Sequence, residues 1–220
     1  MRPLGLTLLV SAALAAPPPG GVSVSPARVE LALAPGETRE VVFTVGGEGE
    51  YLVGTVLFTM RGEEVAVSGE ACPHLRPETP VVRVRGATQV KVGLEAPQTP
   101  GTTACLLTLT PTAGAQTPLA VGVPVYLTLK GTERPGLGIA VLRDGRVVVE
   151  NTGNVLLRLS GFVSYVEEGR EVARQRVRDF ALLPGNARVL PPPEGLQAGQ
   201  AVVYLEGGGK RWAKQGAYRR

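Results

Sequence analysis

The sequence predicts an all-β protein with two sandwich domains in tandem. The 220 residues include 29 glycines and 19 prolines, more than a fifth of the chain. They fall as punctuation between short runs, whereas long helices would exclude them from their interiors. The runs are rich in Val, Leu and Thr and several alternate apolar with polar side chains, the period of a half-buried strand. Hydrophobic residues make up 44% of the chain, enough for packed cores, which argues against disorder or a collagen-like chain.

Residues 1–15 read as a signal peptide. Arg2 supplies a positive start, an uncharged apolar run follows, and Ala13-Leu14-Ala15 is a small-x-small cleavage pattern, so the mature chain is expected to begin at Ala16. The run is shorter than the ~20 apolar residues a membrane-spanning helix needs. Pro17-Pro18-Pro19-Gly20-Gly21 is then a stiff leader. The first strand is expected over 22–33 and turns at Ala34-Pro35-Gly36-Glu37, where proline pre-sets one torsion and glycine accepts positive φ. Strands follow over 39–45, ended by Gly46-Gly47-Glu48-Gly49, and over 51–60, closed by Arg61-Gly62. Further strands are expected at 81–85, 89–94, 103–109 and 119–129. About seven strands in about 110 residues is the pattern of an immunoglobulin-like sandwich.

Residues 130–136 have the composition of a linker. A second series occupies 138–142, 146–150, 155–166, 171–180, 187–190 and 200–205, with turns at Asp144-Gly145 and Asn151-Thr152-Gly153-Asn154. The division is therefore a signal peptide at 1–15, an immunoglobulin-like domain at 22–131, a smaller β-sandwich at 136–209, and a basic tail at 210–220.

The formal charge of +4 does not indicate a nucleic-acid partner, because its distribution is uneven. Lys210, Arg211, Lys214, Arg219 and Arg220 crowd the tail, and the body without tail and leader is near neutral. The tail reads as a solvated terminus, with Trp212 able to dock on the second domain. Cys72 and Cys105 are the only cysteines, and export makes a disulfide the expectation. The loop of about 33 residues would contribute ~3 to 4 kcal/mol in the chain-entropy model. A metal site from Cys72, His74 and Cys105 would leave a structural zinc one ligand short.

Catalytic chemistry finds little to build on. His74 is the only histidine, no serine sits in a G-x-S-x-G setting, and Asp144 and Asp179 are the only aspartates. Glu63-Glu64 and Glu167-Glu168 read as solvated turn ends, and Gly47-x-Gly49 lacks the rest of a dinucleotide fingerprint. The expectation is a protein without catalytic residues, metal, cofactor or small-molecule substrate.

Several segments, in order, resemble the periplasmic pilus-assembly chaperones of the usher pathway. Val24-Ser25-Pro26-Ala27-Arg28-Val29-Glu30-Leu31 followed by Ala34-Pro35-Gly36-Glu37 resembles that family's first strand and turn. Gln89-Val90-Lys91-Val92 ahead of Pro97, and Val123-Pro124-Val125-Tyr126, resemble later strands of its first domain. In the second domain the resemblance lies in 147–155, with its Asn151-Thr152-Gly153-Asn154 turn, and in Leu182-Leu183-Pro184-Gly185. It covers roughly 22–208.

The resemblance implies two immunoglobulin-like domains set at an angle and a periplasmic chaperone that donates a β-strand to the incomplete fold of pilus or surface-fibre subunits. An outer-membrane usher is the further partner it points to. The strand would be 119–129, with Leu119, Val121, Val123 and Val125 on one face at period two; the same pattern also fits an ordinary core strand. Pro124 independently suggests an edge, since proline removes a ladder donor. Arg28 would bind the subunit's terminal carboxylate, or else it is a surface arginine on an edge strand. One departure stands out. The family places a second basic residue early in the lent strand, and 119–126 contains none, while Lys130 comes too late. Either a basic residue from elsewhere in the cleft replaces it, or the carboxylate is not gripped in the usual way. The alternative from another class is a structural or adhesive cell-surface protein that uses its two domains as a spacer.

Overall fold

The computed structural model describes residues 22–62, 64–112 and 120–219. The signal peptide read at 1–15 and the predicted site residue Leu119 lie outside them. Every regular element among the described residues is a strand.

The first domain contains β1 (Ser23–Ser25), β2 (Val29–Leu33), β3 (Thr38–Arg61), β4 (Glu64–Val67), β5 (Leu75–Pro77), β6 (Val81–Glu95), β7 (Thr102–Pro111) and β8 (Val121–Leu129). They form one sheet in the order β2-β8-β7-β3-β6-β5, with β1 and β4 also on β3. The expected first strand is in fact two. It breaks at Pro26, after which β1 pairs antiparallel with β3 and β2 runs parallel to β8. The Ala34 to Glu37 turn forms as expected, with the Glu37 N–H donating to the Ala34 carbonyl at 2.9 Å and Gly36 at φ 73°.

The glycines expected to end the second strand do not end it. β3 continues through Gly47 and Gly49, at φ 130° and 134°, and β6 continues through Gly86 at φ 83°. Such torsions suit glycine alone, so these residues bend the strands rather than terminate them. The bend lets β3 pair with β6 over 38–52, with β7 over 51–57 and with β4 over 58–61. The sheet thereby closes over a core that includes Leu33, Phe43, Val45, Tyr51, Val92, Leu107 and Leu127. Cys72 and Cys105 are joined within it by a disulfide, Cα atoms 5.8 Å apart.

The second domain contains β9 (Leu137–Val141), β10 (Val147–Asn151), β11 (Leu157–Glu167), β12 (Arg170–Leu182), β13 (Ala187–Leu190), β14 (Ala198–Gly207) and β15 (Lys210–Arg219). Sheets of order β13-β10-β9 and β12-β11-β14-β15 enclose a core that includes Val149, Leu159, Tyr165, Val203 and Leu205. Here the expected solvated tail is corrected. Residues 210–219 are a full strand paired with β14 from Gly207↔Lys210 to Ala198↔Arg219. Tyr218 explains it: its ring is 3% exposed in the second core, and its hydroxyl donates to Glu167 Oε1 at 3.0 Å. Trp212 docks as expected, partly buried against the same core.

The domains meet through a third apolar cluster of Phe58, Ala104, Tyr126 and Leu183, with Met60, Leu106 and Leu156 beside it. Polar ties flank the cluster. The Asn186 side chain accepts from the Gly62 N–H at 3.2 Å and donates to the Gly62 carbonyl at 3.0 Å. The Asn154 side chain accepts from the Arg134 N–H and donates to the Thr132 carbonyl, which holds the linker. Gly101, at φ 98°, lies so close to Asn154 that a Cβ there would sit 2.1 Å from the Asn154 carbonyl oxygen.

Candidate functional site

β8 lies between β7 and β2, but these neighbours cover different lengths of it. β7 pairs with 121–128, whereas β2 runs alongside only 125–129. From Val121 to Pro124 the far edge of β8 has no ladder partner among the described residues. Pro124 suits that position, because a residue without an N–H is tolerated on an edge.

The strand presents two different faces. Val123 and Val125, 2% and 0% exposed, point into the first domain's core, and Val121 is half-buried. On the other face Pro124 and Tyr126 line a hollow together with Ala27, Arg28 and Arg158. Arg28 immediately precedes β2, and the register of Val29 opposite Val125 sets it beside Pro124, where the open edge stops. Arg158 comes from β11 of the other domain.

The two guanidinium groups converge on Glu30, which lies opposite Tyr126 in the β2 to β8 register. Arg28 Nε lies 2.8 Å from Glu30 Oε1. Arg158 donates to the same oxygen from Nε at 2.8 Å and from Nη2 at 2.6 Å. Its Nη1 also lies 3.5 Å from Asp179 Oδ2. Burial pushes the Tyr126 phenol above its ordinary 10.0, with the positive charges of Arg158 and Arg28 pulling the other way. The phenol is therefore neutral at physiological pH, and its ring packs edge-on against Phe58 at 5.8 Å. An apolar floor, an exposed strand edge and two guanidinium forks at its end are the parts needed to hold an extended chain by its carboxylate.

Among the predicted site residues, Arg28 thus stands at the mouth of the cleft, with Val121, Val123 and Val125 along the strand that leads to it. Sequence reasoning missed Arg158. Leu157-Arg158-Leu159-Ser160 reads as any strand with an outward arginine, and only the pairing of two domains brings that arginine to Arg28. The one available hint was the missing second basic residue in 119–126.

No family model matches the chain, and no curated protein matches it in sequence. Solved structures do match. The class 5 fimbriae chaperone CfaA aligns with a TM-score of 0.57 at 10% identity, over 91% of this chain and 100% of that one. The chain has the two-domain fold of the fimbrial chaperones. A chain from the chaperone-tip adhesin complex of CFA/I fimbriae biogenesis gives a TM-score of 0.57 at 10% identity, covering 89% of this chain and 98% of that one. A chain of the CsuC-CsuE chaperone-tip adhesion subunit pre-assembly complex, from archaic chaperone-usher Csu pili of Acinetobacter baumannii, gives 0.51 at 11% identity, covering 89% and 97%. The expectation of two immunoglobulin-like domains therefore holds.

Proposed function

We propose that this protein is a periplasmic chaperone that escorts pilus or surface-fibre subunits by lending them β8. The reading rests on where the open edge stops. A client strand laid against 121–124 can run no further than the start of β2, and Arg28 and Arg158 stand there. A chain end with a terminal carboxylate fits that position; a continuing chain would meet β2.

The physical logic is that of an added strand. A subunit lacking one strand exposes unpaired backbone groups and an apolar groove, which together drive aggregation. Main-chain hydrogen bonds to β8 would satisfy the exposed groups. Because neighbouring strands of one sheet share their inward face, client side chains would fall in line with Val121 and Val123 and extend the home core. An outer-membrane usher would receive the loaded complex.

Co-expression with candidate fibre subunits tests this. The expected outcome is a one-to-one complex in which amide exchange slows, relative to the free protein, at Gly122, the residue between Val121 and Val123 whose N–H faces the open edge. Arg28→Ala should weaken capture by about tenfold or more, the loss expected for charge-assisted hydrogen bonds. Wild-type capture by that variant, with no added protection at Gly122, would sink the proposal. Substitution of Val123 itself is a poor probe, since it lies in the home core.

A further inference from the structure

The cleft arginines already hold a carboxylate, supplied by the protein itself. Glu30 Oε1 lies 2.8 Å from Arg28 Nε in an ion pair and accepts two N–H groups from Arg158, at 2.8 and 2.6 Å. The Nε–Nη2 edge of a guanidinium presents parallel donors suited to one carboxylate, and on Arg158 Glu30 holds that edge. An incoming carboxylate at this hollow therefore competes with Glu30 for the same N–H groups. The competition is weak enough to be won. The three side chains are 26 to 49% exposed, and ion pairs as open as this contribute little individually.

Glu30 also differs from an ordinary surface acid in what it joins. It belongs to β2 in the first domain and Arg158 to β11 in the second, so their contact is an ion pair across the cleft. The apolar cluster around Tyr126 and the Asn186 clamp do not involve it.

We propose that Glu30 is a resident carboxylate that occupies the Arg28 and Arg158 site in the free protein and is displaced when a chain-terminal carboxylate binds, so that capture releases an ion pair between the domains. This rests on the carboxylate-anchor reading above. It gives Glu30 two effects: it offsets one of two like charges and eases their repulsion while the cleft is empty, and it sets the affinity low enough for a bound chain end to leave again.

The test uses the intact protein and an N-acetylated Val-Thr repeat peptide, ended either as the free carboxylate or as the carboxamide. Nuclear magnetic resonance follows the arginine Nε–H signals and the Glu30 side-chain carboxylate carbon. The free-carboxylate peptide is expected to shift both arginine signals and move the Glu30 carbon to the value of a solvated carboxylate, while the carboxamide does neither. Glu30→Gln is nearly isosteric at an exposed position and should bind the free-carboxylate peptide about threefold to tenfold more tightly, the range set by loss of a weak ion pair. The wild-type measurement needs no variant. Shifts in both arginines without any change at Glu30, or unchanged or weaker binding by Glu30→Gln, overturn the displacement and leave the anchor standing. Silence from both arginines in both proteins overturns anchor and displacement together.

Discussion

Asn151 has no exposed surface, yet it organises the turn that faces the linker. Its side-chain N–H groups donate to the carbonyls of Val155 and Leu182, both at 2.7 Å, and its oxygen accepts from the Gly153 N–H at 3.0 Å. A buried amide with its groups this fully partnered is stable where an unpartnered one would be costly. His74 behaves differently. Burial holds its pKa below the ordinary 6.5, and Glu95 opposes that only in part. The neutral ring is thus favoured in the fold. As pH falls through 6.5 the unfolded chain takes up the proton first, so stability is lost from there down to the lower folded-state value and is fully present above 6.5. Because His74 is the sole histidine, urea unfolding between about pH 8 and pH 5 should show this slope in wild type and a shallower one in His74→Gln. Equal slopes would remove the desolvated imidazole from the account. At this scale Arg28 was singled out in the sequence because it sits inside an ordered motif. Arg158 was not, because its partner Glu30 is 128 residues away.

Among the elements, β15 carries the most weight for its composition. Lys210, Arg211, Lys214 and Arg219 suggested solvent, and their side chains are indeed exposed, but the apolar members Trp212 and Tyr218 pin the strand. Burial and the hydrogen bond to Glu167 push the Tyr218 phenol up to about 12. The unfolded chain ionises near the ordinary value of 10, so this group costs stability as pH rises from there toward 12, the reverse of the histidine. Tyr218→Phe should lose about 1 kcal/mol at neutral pH through the missing hydrogen bond and flatten that alkaline slope. Tyr218→Ala should lose about 3 to 5 kcal/mol through the cavity as well. Chemical denaturation at neutral and alkaline pH reads both, and a neutral Tyr218→Ala would mean that the strand is held by its ladder alone. Alternation located most strands in the sequence, yet the bends in β3 and β6 escaped it. Gly46 to Gly49 and Gly86 look the same whether a strand stops or turns a corner, and only the pairing of β3 with several partners distinguishes the two.

At the scale of the molecule, the two-domain β fold was legible from the two series of short strands, while the surface joining the domains was not. Leu183 lies in a turn and Phe58 in a strand of the other domain, and neither signals its partner by local pattern. Their contact, with Asn186 on Gly62, makes the two cores one unit. Leu183→Ala combined with Asn186→Ala should lower stability by about 3 to 5 kcal/mol, from a cavity plus lost hydrogen bonds. Calorimetry should show one unfolding peak for the wild type and two for the variant. A single peak in that variant would mean that the linker and Asn154 suffice for coupling.

The four-stranded sheet has a consequence for behaviour in a crowded compartment. Its two outer strands both carry a positive excess, β12 with Arg170, Arg174, Arg176 and Arg178 against Glu171 and Asp179, and β15 with Lys210, Arg211, Lys214 and Arg219. Copies approaching rim to rim repel at low ionic strength, and salt shortens the reach of that repulsion to about 8 Å under physiological conditions. The molecule thereby stays dispersed among its own kind, and concentrated brine is the condition in which it would begin to clump.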